Sequence, residues 1–374
     1  MRRIASHYAL IDGELLKGIV VEVDDSGTIT SISHHDNIDS LAGVEFYPGV
    51  LMPGMVNAHC HLELSYLRGA IAEGTGFAGF AREIGRVRGN YTNEERIHAA
   101  SIADSEMWSE GVEAVVDIAN DELVMPIKEH SPIHYLTLFE AFGLILQSPE
   151  AQWAMANRHT NAGATPHSTY SLQDATFRDI ANLGSHPLSI HLLESTDESA
   201  LYHHSGSLWE WYERMGWECD FLHYGNPTER VVRSIPRGRG LILVHGCMAQ
   251  AEDIERLSVF SPAWALCPES NRYISGIKPP VQLFRSMGAN IVIGTDSLAS
   301  ARRLSMVDNM RLLGDDIPLA ELLTYATLNG ARAMGIEDTK GSLEVGKRPG
   351  IVVLSNLDLH GLRLTEDSQT NRVI

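Results

Sequence analysis

At 374 residues, with 44% hydrophobic and 21% charged residues, the chain is long enough for a large core and too long for a small disulfide-held module. Its net charge of −19 argues against nucleic acid or an anionic membrane surface as a partner. No run of about 18 apolar residues is present to span a membrane, and the first residues are too short an apolar run for a signal peptide. The four cysteines, Cys60, Cys219, Cys247 and Cys267, form no CxxC pair, which predicts reduced thiols in a cytoplasmic protein.

Residues 1–50 read as strands and turns. Gly18 to Asp24 runs apolar, Asp24 to Gly27 turns, and Thr28 to Ile32 returns, the pattern of a β-hairpin. From residue 51 apolar strand-like runs alternate with helical stretches, which predicts a parallel α/β architecture. The expected strands are 50–58, 112–118, 135–142, 163–166, 188–193, 241–244, 263–266 and 290–294. Amphipathic stretches at 93–110, 172–183, 251–259 and 279–287 lie between them, and 195–240 reads as a helix plus a connection. A single helical stretch, 318–334, follows the last strand, and strand-and-turn character returns from Gly341. Eight such units predict a (β/α)8 barrel over 51–338, with 1–50 and 339–374 joining as one small β domain.

In such a barrel the chemistry sits at the C-terminal ends of the strands. The first strand ends in His59-Cys-His61, and residues i and i+2 of a strand face the same side, so two imidazoles stand together as half of a metal site. The fourth strand ends in His167, the fifth in His191-Leu-Leu-Glu194, the sixth in His245, the seventh in Cys267-Pro-Glu-Ser-Asn271 and the eighth in Asp296. Taken singly, each has an ordinary structural reading: Glu194 as a first-turn carboxylate, Asp296 as an N-cap, Cys267 as a buried small hydrophobe. Their shared position at strand ends is what points to a site.

These motifs, with Pro53-Gly-Met-Val-Asn-Ala-His59, Leu67-Arg-Gly69, Thr165-Pro-His167-Ser168, Gly294-Thr-Asp296, Thr327-Leu-Asn-Gly-Ala331 and Gly341 to Lys347, resemble the amidohydrolase superfamily. The likeness is to its chlorohydrolase/deaminase branch, which includes guanine deaminase, S-adenosylhomocysteine deaminase and aminodeoxyfutalosine deaminase. The resemblance implies that His59, His61, His191 and Asp296 hold one divalent metal, zinc or iron, with Glu194 and His245 beside the water it activates and His167 near the substrate. It implies the composite terminal β domain and a homodimer. Glu63 and the segment 74–80 resemble the aminodeoxyfutalosine deaminases, and Asn271 sits in a motif of the deaminase branch, so both are expected at the substrate. One departure is Gly346-Lys-Arg-Pro-Gly350, where the family often has Gly-x-x-Ala-Asp.

Two-metal members carry a bridging lysine or carboxylate after the fourth strand, whereas this chain has Thr165-Pro-His167, and Lys128, Lys278 and Lys347 fall elsewhere. One metal is therefore expected. Glu194 is placed to take a proton from water and pass it on, His245 to hold that water, and Asp296 to ligate metal and accept a proton. The expected reaction replaces an exocyclic amine of an N-heterocycle, an adenine-type nucleoside or related metabolite, by a carbonyl, releasing ammonia. Hydrolysis of a cyclic amide, an imidazolone or a halogenated triazine by the same water is the alternative, and a non-enzymatic scaffold is the third reading.

Overall fold

A computed structural model describes residues 1–37, 42–314 and 316–374, so four positions of the expected 1–50 segment lie outside the described residues. The chain begins with β1 (Arg2–Ile11), β2 (Glu14–Leu16), β3 (Ile19–Val23), β4 (Ile29–His34) and β5 (Glu45–Pro53). The predicted hairpin is β3 with β4, paired antiparallel. Eight short strands follow: β6 (Met55–Cys60), β7 (Val112–Ala119), β8 (His134–Ala141), β9 (Ala162–Pro166), β10 (Leu188–Leu192), β11 (Leu241–His245), β12 (Ala263–Leu266) and β13 (Asn290–Ile293). The last two strands are β14 (Ile351–Ser355) and β15 (Gln369–Arg372).

Strands β6 to β9 form one parallel four-stranded sheet and β10 to β13 another. Isolated parallel bridges, Ser168 with His191 and Cys60 with Asp296, lie between β9 and β10 and between β6 and β13. Strand β7 is buried along its whole length, as expected of a strand covered on both faces. A third, mixed sheet has the order β15-β14-β5-β1-β3-β4, with β2 on the edge of β1, so it draws strands from both ends of the chain. No helix among the described residues is long and apolar enough to cross a membrane.

Three expectations need correction. The apolar run read as one strand, 50–58, is two: Val50 to Pro53 belong to the mixed sheet, and Met55 to Cys60 to the parallel one. The break is at Gly54, whose N–H donates to Pro349 O at 3.1 Å and where a Cβ would meet that oxygen at 2.9 Å and the Glu113 side chain. Only glycine admits so close a backbone approach. The helical stretch 318–334 is two helices, Leu319–Ala326 and Leu328–Met334, divided at Thr327, whose backbone (φ −130°, ψ −90°) is not helical. The second helix packs directly on β6, where a Cβ on Gly330 would lie 2.8 Å from Val56 Cβ. The segment 195–240 holds three helices, Thr196–Leu201, Gly206–Met215 and Pro227–Ser234, rather than one. The last starts on an Asn226 cap, with Pro227 at its first turn.

Candidate active site

The strand ends converge. His59 and His61 follow one another on one side of β6, with ring centroids 4.9 Å apart, and His191 from β10 lies 4.9 Å from His59 and 5.6 Å from His61. One nitrogen from each of the three lies within 4.8 Å of the other two. His191 Nδ1 is 2.9 Å from His167 O and so carries the proton, leaving Nε2 free. His59 Nδ1 meets Ser189 Oγ at 3.3 Å, and His59 Nε2 and His61 Nδ1 are buried without a partner. Burial, and after it the neighbouring imidazoles, push His59 and His61 well below the ordinary histidine range, so they are neutral and ligand-competent. Asp296 Oδ1 stands 3.7 Å from His61 Nε2, while its Oδ2 accepts from Ser270 Oγ and Ser300 Oγ. Orphaned buried nitrogens beside a carboxylate are unfavourable alone and form a donor set that suits zinc or iron.

Asn57, one turn of pleat before His59, ties the first parallel strand to the last. Its Nδ2 donates to Thr295 Oγ1 at 2.7 Å, and its Oδ1 accepts from Thr295 N at 3.1 Å. Thr295 N and Asp296 N both donate to His59 O. Asn57→Ala is expected to cost about 2 kcal/mol in urea unfolding, because buried groups of Thr295 lose their partners. The same variant is expected to weaken zinc about tenfold in a chelator competition, because an outer support of the ligands is gone.

Glu194 lies three residues past His191, a spacing that alternates sides in a straight strand. Leu193 between them adopts φ 54°, which turns the chain so that both side chains line one cavity. His245 (φ 74°) and Asp296 (φ 57°) hold the same left-handed conformation at their strand ends, a concentration of backbone strain typical of functional sites. His245 Nε2 is 3.7 Å from Glu194 Oε1, and Asn271 Nδ2 is 3.0 Å from His245 Nδ1. The Glu194 backbone N–H donates to Glu198 Oε2 at 3.1 Å, and Glu198 Oε1 accepts from Thr169 Oγ1. Burial, with Asp296 and Glu198 nearby, pushes the Glu194 carboxyl well above the usual carboxylate range. A buried carboxyl beside an imidazole, next to a cluster of neutral histidines, is equipped to move protons.

The His167 ring lies 4.6 Å from that of His191, tilted by 32°, and its Nδ1 meets Ser171 Oγ at 3.1 Å. It lines the same cavity of about 650 Å³, together with His61, His191, Glu194, His245 and Asp296. Glu63 and Asn271 do not line it: Asn271 stands behind His245, and Glu63 behind Asn120. The outer walls are apolar, built from Phe77, Phe80 and Ile84 of the helix Phe77–Val87, from Phe142 after β8, and from Trp211 and Trp217.

Among the lining residues missed in the sequence are Asn120 after β7 and Glu140 near the end of β8. Glu140 was read as part of an apolar strand. Reading every strand end for polar groups, those of the second and third parallel strands included, would have found both. A Glu140 oxygen lies within 4.8 Å of nitrogens of His167 and His191.

The amidohydrolase family profile matches residues 50–372. An adenosine deaminase of Helicobacter pylori is 27% identical over 365 residues, covering 89% of this chain and 84% of that protein. A 5-methylthioadenosine/S-adenosylhomocysteine deaminase of Saccharophagus degradans is 26% identical over 400 residues, covering 95% and 80%. Among solved structures, Helicobacter pylori aminofutalosine deaminase in complex with methylthio-coformycin superposes with a TM-score of 0.85 at 23% identity, with both chains covered in full. Atrazine chlorohydrolase from Arthrobacter aurescens, complexed with zinc, gives 0.73 at 17%, covering 96% of this chain and 88% of that one. At these identities the structural likenesses establish the α/β fold. With its match running from residue 50 to residue 372 across every strand end described above, the chain belongs to the amidohydrolase family.

Proposed function

We propose that the protein is a metal-dependent aminohydrolase that replaces the exocyclic amine of an adenine-type N-heterocycle by a carbonyl and releases ammonia. The observation that carries this reading is the convergence of three neutral imidazoles, each with a free nitrogen, upon the Glu194–His245 pair at the floor of one cavity. The curated deaminases similar to this chain along most of its length support the same reading. His59, His61, His191 and Asp296 would hold one divalent cation, zinc by preference, as in the zinc-bound adenosine deaminase of Xanthomonas campestris whose fold is similar. When bound, the cation supplies Lewis acidity and lowers the pKa of water to about 7.

The chain's own groups do the rest. His245, held by Asn271, orients the attacking water. Glu194 takes one proton from that water and gives it to the ring nitrogen as the C–O bond forms; Asp296 takes the second proton from the new hydroxyl and it passes to the amine, so that the C–N bond breaks, the carbonyl forms and ammonia leaves. The apolar upper walls exclude bulk water and receive the remainder of the substrate. The architecture that fits is a (β/α)8 barrel over 51–338, its two four-stranded halves meeting at the isolated bridges, beside a small β domain from 1–50 and 339–374. Four free cysteines suit a reducing cytoplasm, and the family resemblance carries a homodimer with it.

The test is ammonia release by zinc-loaded protein across adenosine, 5′-substituted adenosines, free aminopurines and pterins. Ammonia from an adenine-type compound is expected. Inertness toward all of them, with opening of a cyclic amide or loss of halide from a triazine, would replace this reading.

A further inference from the structure

The Glu194 carboxyl accepts no hydrogen bond among the described residues, and His245 Nε2 stands off from it at 3.7 Å. Its place is therefore set by its backbone, and that backbone is held in an unfavourable turn. Leu193, with φ 54°, adopts a conformation that side chains disfavour and that persists only where the surroundings impose it. The group that imposes it is a second carboxylate. Glu194 N–H donates to Glu198 Oε2 at 3.1 Å, and the Leu193 N–H is directed at the same carboxylate. Successive backbone N–H groups at such a turn form a concavity that receives an anion, and here the anion is the chain's own Glu198.

Glu198 is itself gripped from the neighbouring strand end. Its Oε1 accepts from Thr169 Oγ1 at 2.6 Å, and Thr169 follows His167 by two residues, just past β9. The Thr169 carbonyl accepts from Arg230 Nη1 at 2.6 Å and from Tyr202 OH at 2.8 Å. Arg230 has no exposed surface; it also donates to Leu172 O at 2.9 Å, and its guanidinium lies 4.0 Å from the ring centre of Phe221. Glu198 thus ties the turn after β10 to the turn after β9, and a buried arginine anchors the second turn from behind.

Helix capping does not account for this arrangement. Glu198 is the third residue of the helix Thr196–Leu201, where a capping carboxylate bonds the N–H of the cap residue, as Glu95 does with Thr92. Glu198 reaches past the cap residue Ser195 to the residue before it. Glu95 is exposed, whereas Glu198 is fully buried. Burial pushes the Glu198 carboxyl up to about 7, although Thr169 and two backbone N–H groups pull the other way. A cap at the surface incurs no such penalty.

We infer that Glu198 is a positioning residue for deamination: it closes the turn at Leu193 and so aims the Glu194 carboxyl into the cavity, with Thr169 and Arg230 holding it there. The inference rests on the role proposed for Glu194.

The experiment measures kcat and KM for whichever of adenosine and 5′-methylthioadenosine the zinc-loaded wild type turns over faster. Bound zinc per chain and hydrogen exchange of the peptide 188–195 are measured alongside. The variants are Glu198→Ala, Thr169→Val, Glu194→Gln, and each of the first two combined with Glu194→Gln. Glu198→Ala is expected to lower kcat by about a hundredfold, the scale of a 1 Å misplacement of a reacting group. Zinc content and KM should hardly change, and the 188–195 peptide should exchange faster. Thr169→Val, which removes one hydrogen bond to a carboxylate, should lower kcat by about tenfold. In the Glu194→Gln background either change should lower kcat by less than about twofold, because no carboxyl remains to be aimed.

Unchanged kcat in Glu198→Ala, an equal further loss in the Glu194→Gln background, or loss of zinc overturns the inference and leaves the deaminase reading intact. Absence of ammonia from every purine offered to the wild type overturns that reading, and the inference with it. Thr169→Val, alone and combined with Glu194→Gln, decides the question if Glu198→Ala does not fold.

Discussion

Glu194→Gln is expected to keep its zinc and to lose turnover by about a thousandfold, within the range that general acid–base catalysis contributes. The substitution preserves shape, and the support of residue 194 is a backbone bond, its N–H to Glu198 Oε2 at 3.1 Å. Folding and metal content should therefore hardly change. What disappears is an oxygen that can accept a proton and surrender it again. Burial raises the Glu194 carboxyl, with Asp296 and Glu198 adding to the effect, so it holds a proton more firmly than an exposed carboxyl does. Elemental analysis alongside steady-state rates checks both halves. Near-normal turnover with bound zinc would remove Glu194 from the mechanism.

The second large effect is on the metal. His59→Ala or His61→Ala deletes one of four proposed ligands, and a four-ligand zinc site binds with about 12 kcal/mol. An equal share of that energy is roughly 3 kcal/mol, so more than a hundredfold of affinity should vanish, and activity with it. His167→Ala is the matched control. Its ring also touches His191, yet its Nδ1 is engaged by Ser171 and it stands outside the three-histidine cluster. It should retain metal. Unchanged metal in His59→Ala or His61→Ala would refute the ligand assignment.

The site was legible where chemistry coincides with strand periodicity. His59 and His61 share a side because a strand repeats every two residues, and the apolar runs marking the parallel strands are buried enough to be read directly. What escaped depends on contacts distant in sequence. The break at Gly54 follows from Pro349 and Glu113, far along the chain, and the division at Thr327 shows only in its backbone angles, since a threonine can equally continue a helix. The left-handed turn at Leu193, which brings Glu194 round to His191, leaves no mark in a leucine. Glu140 was hidden between Phe139 and Ala141, Asn120 stood in a polar run just past its strand, and the placement of Glu63 behind Asn120 could not be seen without the fold.

Strand β5 is flanked by β1 on one side and by β14 on the other. The first of these neighbours is made before it, while the second emerges from the ribosome roughly 300 residues later, tens of seconds at usual elongation rates. During that interval the edge of β5 presents open amides and carbonyls, the template on which unrelated chains aggregate. Nascent copies are thus most vulnerable late in synthesis, and slowing translation ahead of residue 351 should lower soluble yield more than an equal pause after it.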